Sequence, residues 1–368
     1  TNNGTSWSPA WDEAYVDYKL NGFPQPLYYD TNGSLHNLGS AGSTPRANVP
    51  LVNFTSDFVR YFHFNTTTDR LEQSVRRAPL TSQAMFASLP KSFVCDKAGS
   101  GGCWWLTGSG SRSINLGDGR QLTTTVVSWL GSPSTVAKDV AGIYAWTSND
   151  TYTWTFAGMV AKMSDFPDSG EGPNEHDTTL LADGKTVACV FRLDAGDGID
   201  FTSTPYKNYH ITMSTDAGHI WSPAKPLPEA MGCARPRLHM LRQGGPLLLT
   251  GGRARNHGNS DISLWINWDG MTKEWTPALS ITGLHNLLIG NPSLYFSPLV
   301  NSSKQDYRSQ ETSSYTSIMP LSERDVVVTY SRNPGWFFKN MSMPRPSPDC
   351  EAQLDHLCNN QSIHVVQG

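Results

Sequence analysis

Short apolar runs alternate with polar, glycine-bearing turns along most of this chain. Five turns are flanked on both sides by apolar segments of strand length: Tyr28 to Leu35, Ile114 to Leu122, Leu180 to Val187, Met240 to Leu248 and Ile318 to Val327. Runs this short, bounded by Gly, Asp, Asn and Ser, predict tight β-hairpins. Two segments depart from the pattern. Thr55 to Thr81 reads as strand without a tryptophan, and Leu284 to Glu311 is a long insertion before the last hairpin. Neither repeats its apolar residues at helical spacing, so helix content is expected to be low.

A second kind of turn recurs between the hairpins. In Ser214-Thr-Asp-Ala-Gly-His-Ile-Trp221 the Asp216 carboxylate can accept backbone N–H groups of its own turn, and Gly218 supplies a positive φ. Trp221 then offers a large ring to bury against the neighbouring strands. Degenerate copies occur at Asn2-Asn-Gly-Thr-Ser-Trp7, at Ser148-Asn-Asp-Thr-Tyr-Thr-Trp154, one residue shorter, and at Asp269-Gly270 before Trp275. After the tryptophan the chain runs Trp7-Ser-Pro9, Trp221-Ser-Pro223 and Trp275-Thr-Pro277, where proline is expected to end the outer strand. Trp7, Trp154, Trp221 and Trp275 are expected in equivalent buried positions.

The motif resembles the Asp box, or BNR repeat, of the sialidase (neuraminidase) superfamily of β-propellers, where it joins the two outer strands of a blade away from the active site. Repetition at blade spacing strengthens the resemblance. It implies an all-β, six-bladed propeller forming a single domain over 1–368, entered part-way through blade one. Ser362 to Val366 would then lie in blade six, and an upstream segment would close the ring, since an open edge invites aggregation. A five-bladed ring closed by its own termini is the alternative.

Charged residues make up 16% of the chain and the net charge is −4. Lys and Arg are scattered without a basic stripe, which argues against nucleic-acid binding. No apolar run reaches membrane-spanning length, and Thr1-Asn-Asn-Gly is neither an initiator methionine nor a signal peptide, so something is expected to have been removed upstream. Eight N-x-S/T sequons, at Asn3, Asn32, Asn53, Asn65, Asn149, Asn301, Asn340 and Asn360, point to a secreted, glycosylated protein. The six cysteines fit that compartment. Short separations suggest bridges Cys95 to Cys103 and Cys350 to Cys358, leaving Cys189 with Cys233. No C-x-x-C or paired-His spacing suggests zinc, and no cofactor or metal is expected.

In Glu175-His-Asp-Thr-Thr-Leu-Leu-Ala-Asp-Gly-Lys-Thr-Val-Ala-Cys-Val-Phe-Arg192 a Glu opens the first strand of blade four and an Arg closes the second. The resemblance implies that Glu175 polarises a nucleophilic tyrosine and that Arg192 grips the substrate carboxylate; a structural ion pair is the competing reading. Tyr315, opening blade six, stands where sialidases place that nucleophile. A neutral phenol suits an anomeric carbon that bears a carboxylate, because an anionic nucleophile would be repelled. Arg253 and Arg255 in Gly251-Gly-Arg-Ala-Arg-Asn, and Arg235 and Arg237 in Cys233-Ala-Arg-Pro-Arg-Leu, are candidates for the rest of the clamp, since guanidinium forks suit carboxylates. Arg112-Ser-Ile has the look of the family's Arg-Ile-Pro motif, but the blade count puts it in blade three, so that role is not carried over. The motif itself and the acid/base Asp that follows it belong to inner strands of blade one, which this sequence lacks.

The function implied is that of an exo-α-sialidase-like retaining glycoside hydrolase acting on terminal sialic or related acidic sugars, with sialoglycoconjugates as partners. The alternative is a non-catalytic extracellular propeller that binds acidic glycans or has a structural role. Glycopeptide mapping of the protein from a glycosylating host is expected to find sugar on several of the eight asparagines. Eight unmodified sites would overturn the secretory reading.

Overall fold

The computed structural model describes residues 88–90, 111–130, 139–150, 153–193, 207–228, 231–232, 235–252, 262–290, 292, 295–296 and 315–332, and further strand backbones at 27–29, 35–37, 59–65, 70–76, 104–107 and 362–367. Among these residues regular structure is mostly antiparallel strand in sheets of simple up-and-down order. The first sheet is β1 (Leu27–Tyr29), β2 (Leu35–Asn37), β3 (Val59–Asn65) and β4 (Arg70–Arg76). In the second, β5 (Trp104–Thr107) and β6 (Ile114–Asn115) both pair with the long β7 (Gln121–Leu130), followed by β8 (Gly142–Ser148) and β9 (Thr155–Lys162). The third is β10 (His176–Leu180), β11 (Val187–Phe191), β12 (His210–Ser214) and β13 (Lys225–Pro226). The fourth is β14 (Arg237–Met240), β15 (Leu247–Gly252), β16 (Ile262–Asn267) and β17 (Leu279–Ser280), after which comes helix α1 (Ile281–Leu288). The fifth is β18 (Thr316–Pro320), β19 (Val326–Arg332) and β20 (Ser362–Gln367).

The chain divides into two compact units, Thr1–Asp194 with His210–Lys225 and Ala195–Tyr209 with Pro226–Gly368. The first holds the first three sheets up to Lys225, the second the last two. Each of the five expected hairpins forms, as β1–β2, β6–β7, β10–β11, β14–β15 and β18–β19. Pairing of β20 with β19 puts Ser362 to Val366 in the last sheet, as expected.

The recurrent turn joins the third and fourth strands in three sheets, and its chemistry is local. After β12, Ser214 Oγ donates to Asp216 Oδ1 at 2.7 Å and accepts from Gly218 N at 2.9 Å, while Ile220 N donates to Asp216 Oδ1 at 2.9 Å. Trp221 Nε1 closes the turn onto the Gly218 carbonyl at 2.9 Å. After β8, Asp150 Oδ1 accepts from Ser148 Oγ at 3.0 Å and from Thr153 N at 2.7 Å. After β16 an asparagine takes the serine's place: Asn267 Oδ1 accepts from Thr272 N at 2.9 Å and its amide donates to the Glu274 carbonyl at 2.6 Å. These bonds supply acceptors for backbone donors that a tight turn leaves unpaired.

Several expectations need correction. Trp154 is fully buried, but Trp221 and Trp275 are only partly buried, and Trp7 lies outside the described residues. The Trp221 indole is tied to its own turn, so it lies along the rim of its core cluster. Pro223 and Pro277 precede β13 and β17; they shape the approach to the outer strand and do not end it. Leu284 to Glu311 begins inside a helix. At eight residues α1 is too short for its periodicity to stand out, and it is set by the Ser280 cap, whose Oγ accepts from Gly283 N at 3.0 Å, and by docking of His285 on Tyr330, Nδ1 to Oη 2.7 Å. Burial pushes the Tyr330 phenol up from its ordinary pKa. Cys189 is a buried free thiol on β11, packed with Ile143, Val160, Ala161 and Phe191, so the bridge to Cys233 is not formed. Burial raises its pKa as well, which leaves it unreactive. Cys95, Cys103, Cys233, Cys350 and Cys358 lie outside the described residues.

Paired threonines link neighbouring sheets within each unit. Thr124 Oγ1 on β7 meets Thr178 Oγ1 on β10 at 2.7 Å, and Thr250 Oγ1 on β15 meets Thr316 Oγ1 on β18 at 2.7 Å. All four residues are buried, so each hydroxyl requires its partner. The turn at Gly218 also seats one sheet on the next: a Cβ there would lie 2.5 Å from Leu122 Cδ1, at a φ of +88°. Gly218→Ala therefore combines left-handed strain with overpacking and is expected to cost about 2–4 kcal/mol in urea denaturation. Gly184→Ala, at φ +68° with nothing within 4 Å, should cost only about 1–2 kcal/mol.

Candidate functional site

The hairpin β10–β11 sets the site of the first unit. Arg192 N donates to the Glu175 carbonyl at 2.8 Å and Asn174 N to the Arg192 carbonyl at 3.1 Å, so the antiparallel ladder continues one step past both strand ends. Charges separated in sequence by the whole hairpin are thereby placed opposite each other. Arg192 Nη1 lies 2.8 Å from Glu175 Oε2. This is the juxtaposition expected from the sequence.

The loop that leads into β10 adds two partners that sequence reasoning missed. Glu171 Oε2 accepts from Arg192 Nη2 at 3.0 Å and from Asn174 Nδ2 at 2.8 Å. Asn174 Oδ1 accepts from Arg192 Nε at 3.0 Å and from the Glu175 backbone N–H. The loop itself is shaped by Ser169, whose Oγ accepts from Gly172 N at 2.8 Å, with Gly172 at φ +68° directly over Met163. The only sequence signal was Glu171-Gly-Pro-Asn174 immediately before Glu175. The guanidinium donates hydrogen bonds from Nε and Nη2, and Nη1 makes an ion pair with Glu175.

A second ion pair stands beside this one. Arg112 Nη2 is 3.6 Å from Asp177 Oδ2, an electrostatic contact longer than a hydrogen bond. Asp177 is buried, and its Oδ1 accepts from Thr178 N at 3.0 Å. Arg112 lies in the break between β5 and β6, next to Ser111, whose backbone N–H holds the Thr124 carbonyl at 2.8 Å. The first unit thus gathers Glu171, Glu175 and Asp177 around Arg112 and Arg192. Such a corner can orient a carboxylate, or meet an anionic ligand with guanidinium.

In the second unit Tyr315 stands immediately before β18 and is 44% exposed. Arg237 opens β14, and its Nε donates to the Thr316 carbonyl at 3.2 Å, which ties the start of β14 to the start of β18. Arg235 is buried just upstream. Counting back from the hairpin pairs Leu180–Val187, Met240–Leu247 and Pro320–Val326, Glu175, Arg235 and Tyr315 occupy the same register position of their respective sheets. Arg253 and Arg255 lie outside the described residues.

No protein-family model matches this chain, and no curated protein matches it. Among solved structures it is similar to a Hadza microbial sialidase, Hz136, with a TM-score of 0.52 and 13% identity over 90% of this chain and 55% of that one. The intramolecular trans-sialidase from Ruminococcus gnavus gives 0.43 at 12% identity, over 76% of this chain and 47% of that one. A GH62 hydrolase in complex with xylotriose gives 0.47 at 10%, over 89% and 90%. The likeness to Hz136 identifies the fold as a sialidase-like β-propeller; this chain spans little more than half of that sialidase's length.

Removing Arg192 leaves Glu171 and Glu175 facing each other with their shared cation gone. Arg192→Ala is expected to lower stability by about 2–4 kcal/mol, less than a fully buried pair because Glu171 is partly exposed. Arg192→Lys should recover only part of it, since one ammonium cannot reproduce the fork. Equal urea midpoints for the parent and the alanine variant would show that the network contributes nothing to folding.

Proposed function

We propose that this chain is the propeller of a retaining, exo-α-sialidase-like glycoside hydrolase acting on terminal sialic or related acidic sugars. The observation that carries the reading is the Glu175–Arg192 pair at the head of β10–β11, with Tyr315 in the same register position at the head of β18. In the proposed reaction the Tyr315 oxygen forms a bond to the anomeric carbon as the bond to the leaving oxygen breaks. A carboxylate base takes the phenolic proton, the role that the family resemblance gives Glu175, a general acid protonates the leaving group, and water then hydrolyses the glycosyl-enzyme with net retention of configuration. Arginines 235, 237, 253 and 255 are the proposed contributors to substrate binding, and the same proposal includes a single six-bladed domain over 1–368, secretion and N-glycosylation.

A second reading has its own observation. The Arg192 guanidinium is engaged by Glu171, Asn174 and Glu175, as a structural ion pair would be. That favours a non-catalytic extracellular propeller that binds acidic glycans or has a structural role.

The experiment compares the full-length parent with Tyr315→Phe on a fluorogenic sialoside. Loss of the nucleophile alone is expected to lower turnover roughly a thousandfold or more, with affinity for a 2,3-didehydro sialic acid analogue within about twofold. Equal turnover by both proteins rejects Tyr315 as nucleophile. A parent that binds the analogue without turning over any sialoside moves the assignment to the binder.

A further inference from the structure

The geometry points to Glu171 as a built-in competitor for anionic ligands: its carboxylate stands on Arg192 where the carboxylate of an acidic sugar would stand, and such a ligand binds by displacing it. This rests on the proposed preference for acidic sugars and adds the device that regulates access to the same arginine. One oxygen of Glu171 is seated between two donors, Arg192 Nη2 at 3.0 Å and Asn174 Nδ2 at 2.8 Å. Two N–H donors converging on one carboxylate oxygen are donors that a ligand carboxylate can also accept from. The rest of the guanidinium is held independently, with Nη1 on Glu175 and Nε on Asn174 Oδ1.

The two glutamates differ in their place in the chain and in exposure. Glu175 continues the β10–β11 ladder through its carbonyl, its backbone N–H bonds Asn174 Oδ1, and its side chain is 16% exposed. Glu171 sits in the loop between Gly170 and Gly172, and its side chain is 28% exposed against 11% for Arg192. A ligand approaching from solvent meets Glu171 first, and a side chain between two glycines is the one that can swing aside without breaking a strand. The exchange conserves charge at the arginine, since one carboxylate replaces another and the partly buried guanidinium is never left uncompensated. A neutral sugar has no carboxylate to offer in return, so Glu171 filters neutral glycans while reducing the apparent affinity for acidic ones.

The test is calorimetric binding of a 2,3-didehydro sialic acid analogue, and of its uncharged methyl ester, to the full-length protein and to Glu171→Gln. Removing a competing, partly exposed ion pair should tighten binding of the acid roughly two- to fivefold. The ester, which does not compete for Arg192, should be unaffected. Glu171→Ser serves as a second variant if the glutamine protein does not fold. Unchanged or weaker binding of the acid overturns the inference, and so does equal tightening of acid and ester, which would mean that the loop blocks access by bulk alone. Arg192→Ala separates this inference from the proposed function. If the alanine variant loses the acid while Glu171→Gln gains nothing, only the competition fails. If the parent and both variants ignore the acid, the preference for acidic sugars fails and the inference falls with it.

Discussion

A tight turn between two strands exposes more backbone N–H groups than the ladder can pair, and in this protein a polar side chain at the end of the third strand captures them. Ser214, Ser148 and Asn267 all stand at that point, and each directs the chain into a turn that delivers the fourth strand. The consequence reaches beyond the turn. With its backbone settled, the loop can press Gly218 against Leu122 and Ala145 of the preceding sheet, and this contact leaves no room for a side chain. The same local chemistry therefore closes one sheet and seats it on the next.

Inside each unit the sheets are further joined through buried hydroxyls, Thr124 with Thr178 and Thr250 with Thr316. Threonine satisfies two demands at these places. Its branched Cβ fits the pleat, and its hydroxyl finds a partner where water is excluded. The pairs lie close to the heads of β10 and β18, so the strands that carry Glu175 and Tyr315 are anchored within a residue or a few of those side chains. Rigid strand ends of this kind hold polar groups in place more reliably than free loops do.

The corner around Arg192 is organised by two carboxylates that share one guanidinium, Glu171 at Nη2 and Glu175 at Nη1. A guanidinium with three occupied nitrogens is well compensated, and this explains how it is accommodated at 11% exposure. Asn174 is the hinge of the arrangement, because one amide side chain accepts from Arg192 and Glu175 while donating to Glu171 and to the Leu193 carbonyl at 3.3 Å.

Hairpins and recurrent turns were legible in the sequence because both are governed by neighbours along the chain. A polar turn between apolar runs sets β10–β11 and β14–β15, and Ser-x-Asp before glycine sets the turn after β12, whatever lies elsewhere. The Glu175–Arg192 pairing was legible for the same reason, since hairpin register brings its two ends together. Helix α1 was not, because eight residues carry too little periodicity and its docking depends on Tyr330, far along the chain, as well as on the nearby Phe296. Nor was the state of Cys189, which is decided by a core that closes around β11. Sequence alone could put an arginine and a glutamate opposite each other. Only the folded loop, by adding Glu171 and Asn174, decided what that arginine is bound to, because side-chain partners across a loop depend on where tertiary packing directs the backbone.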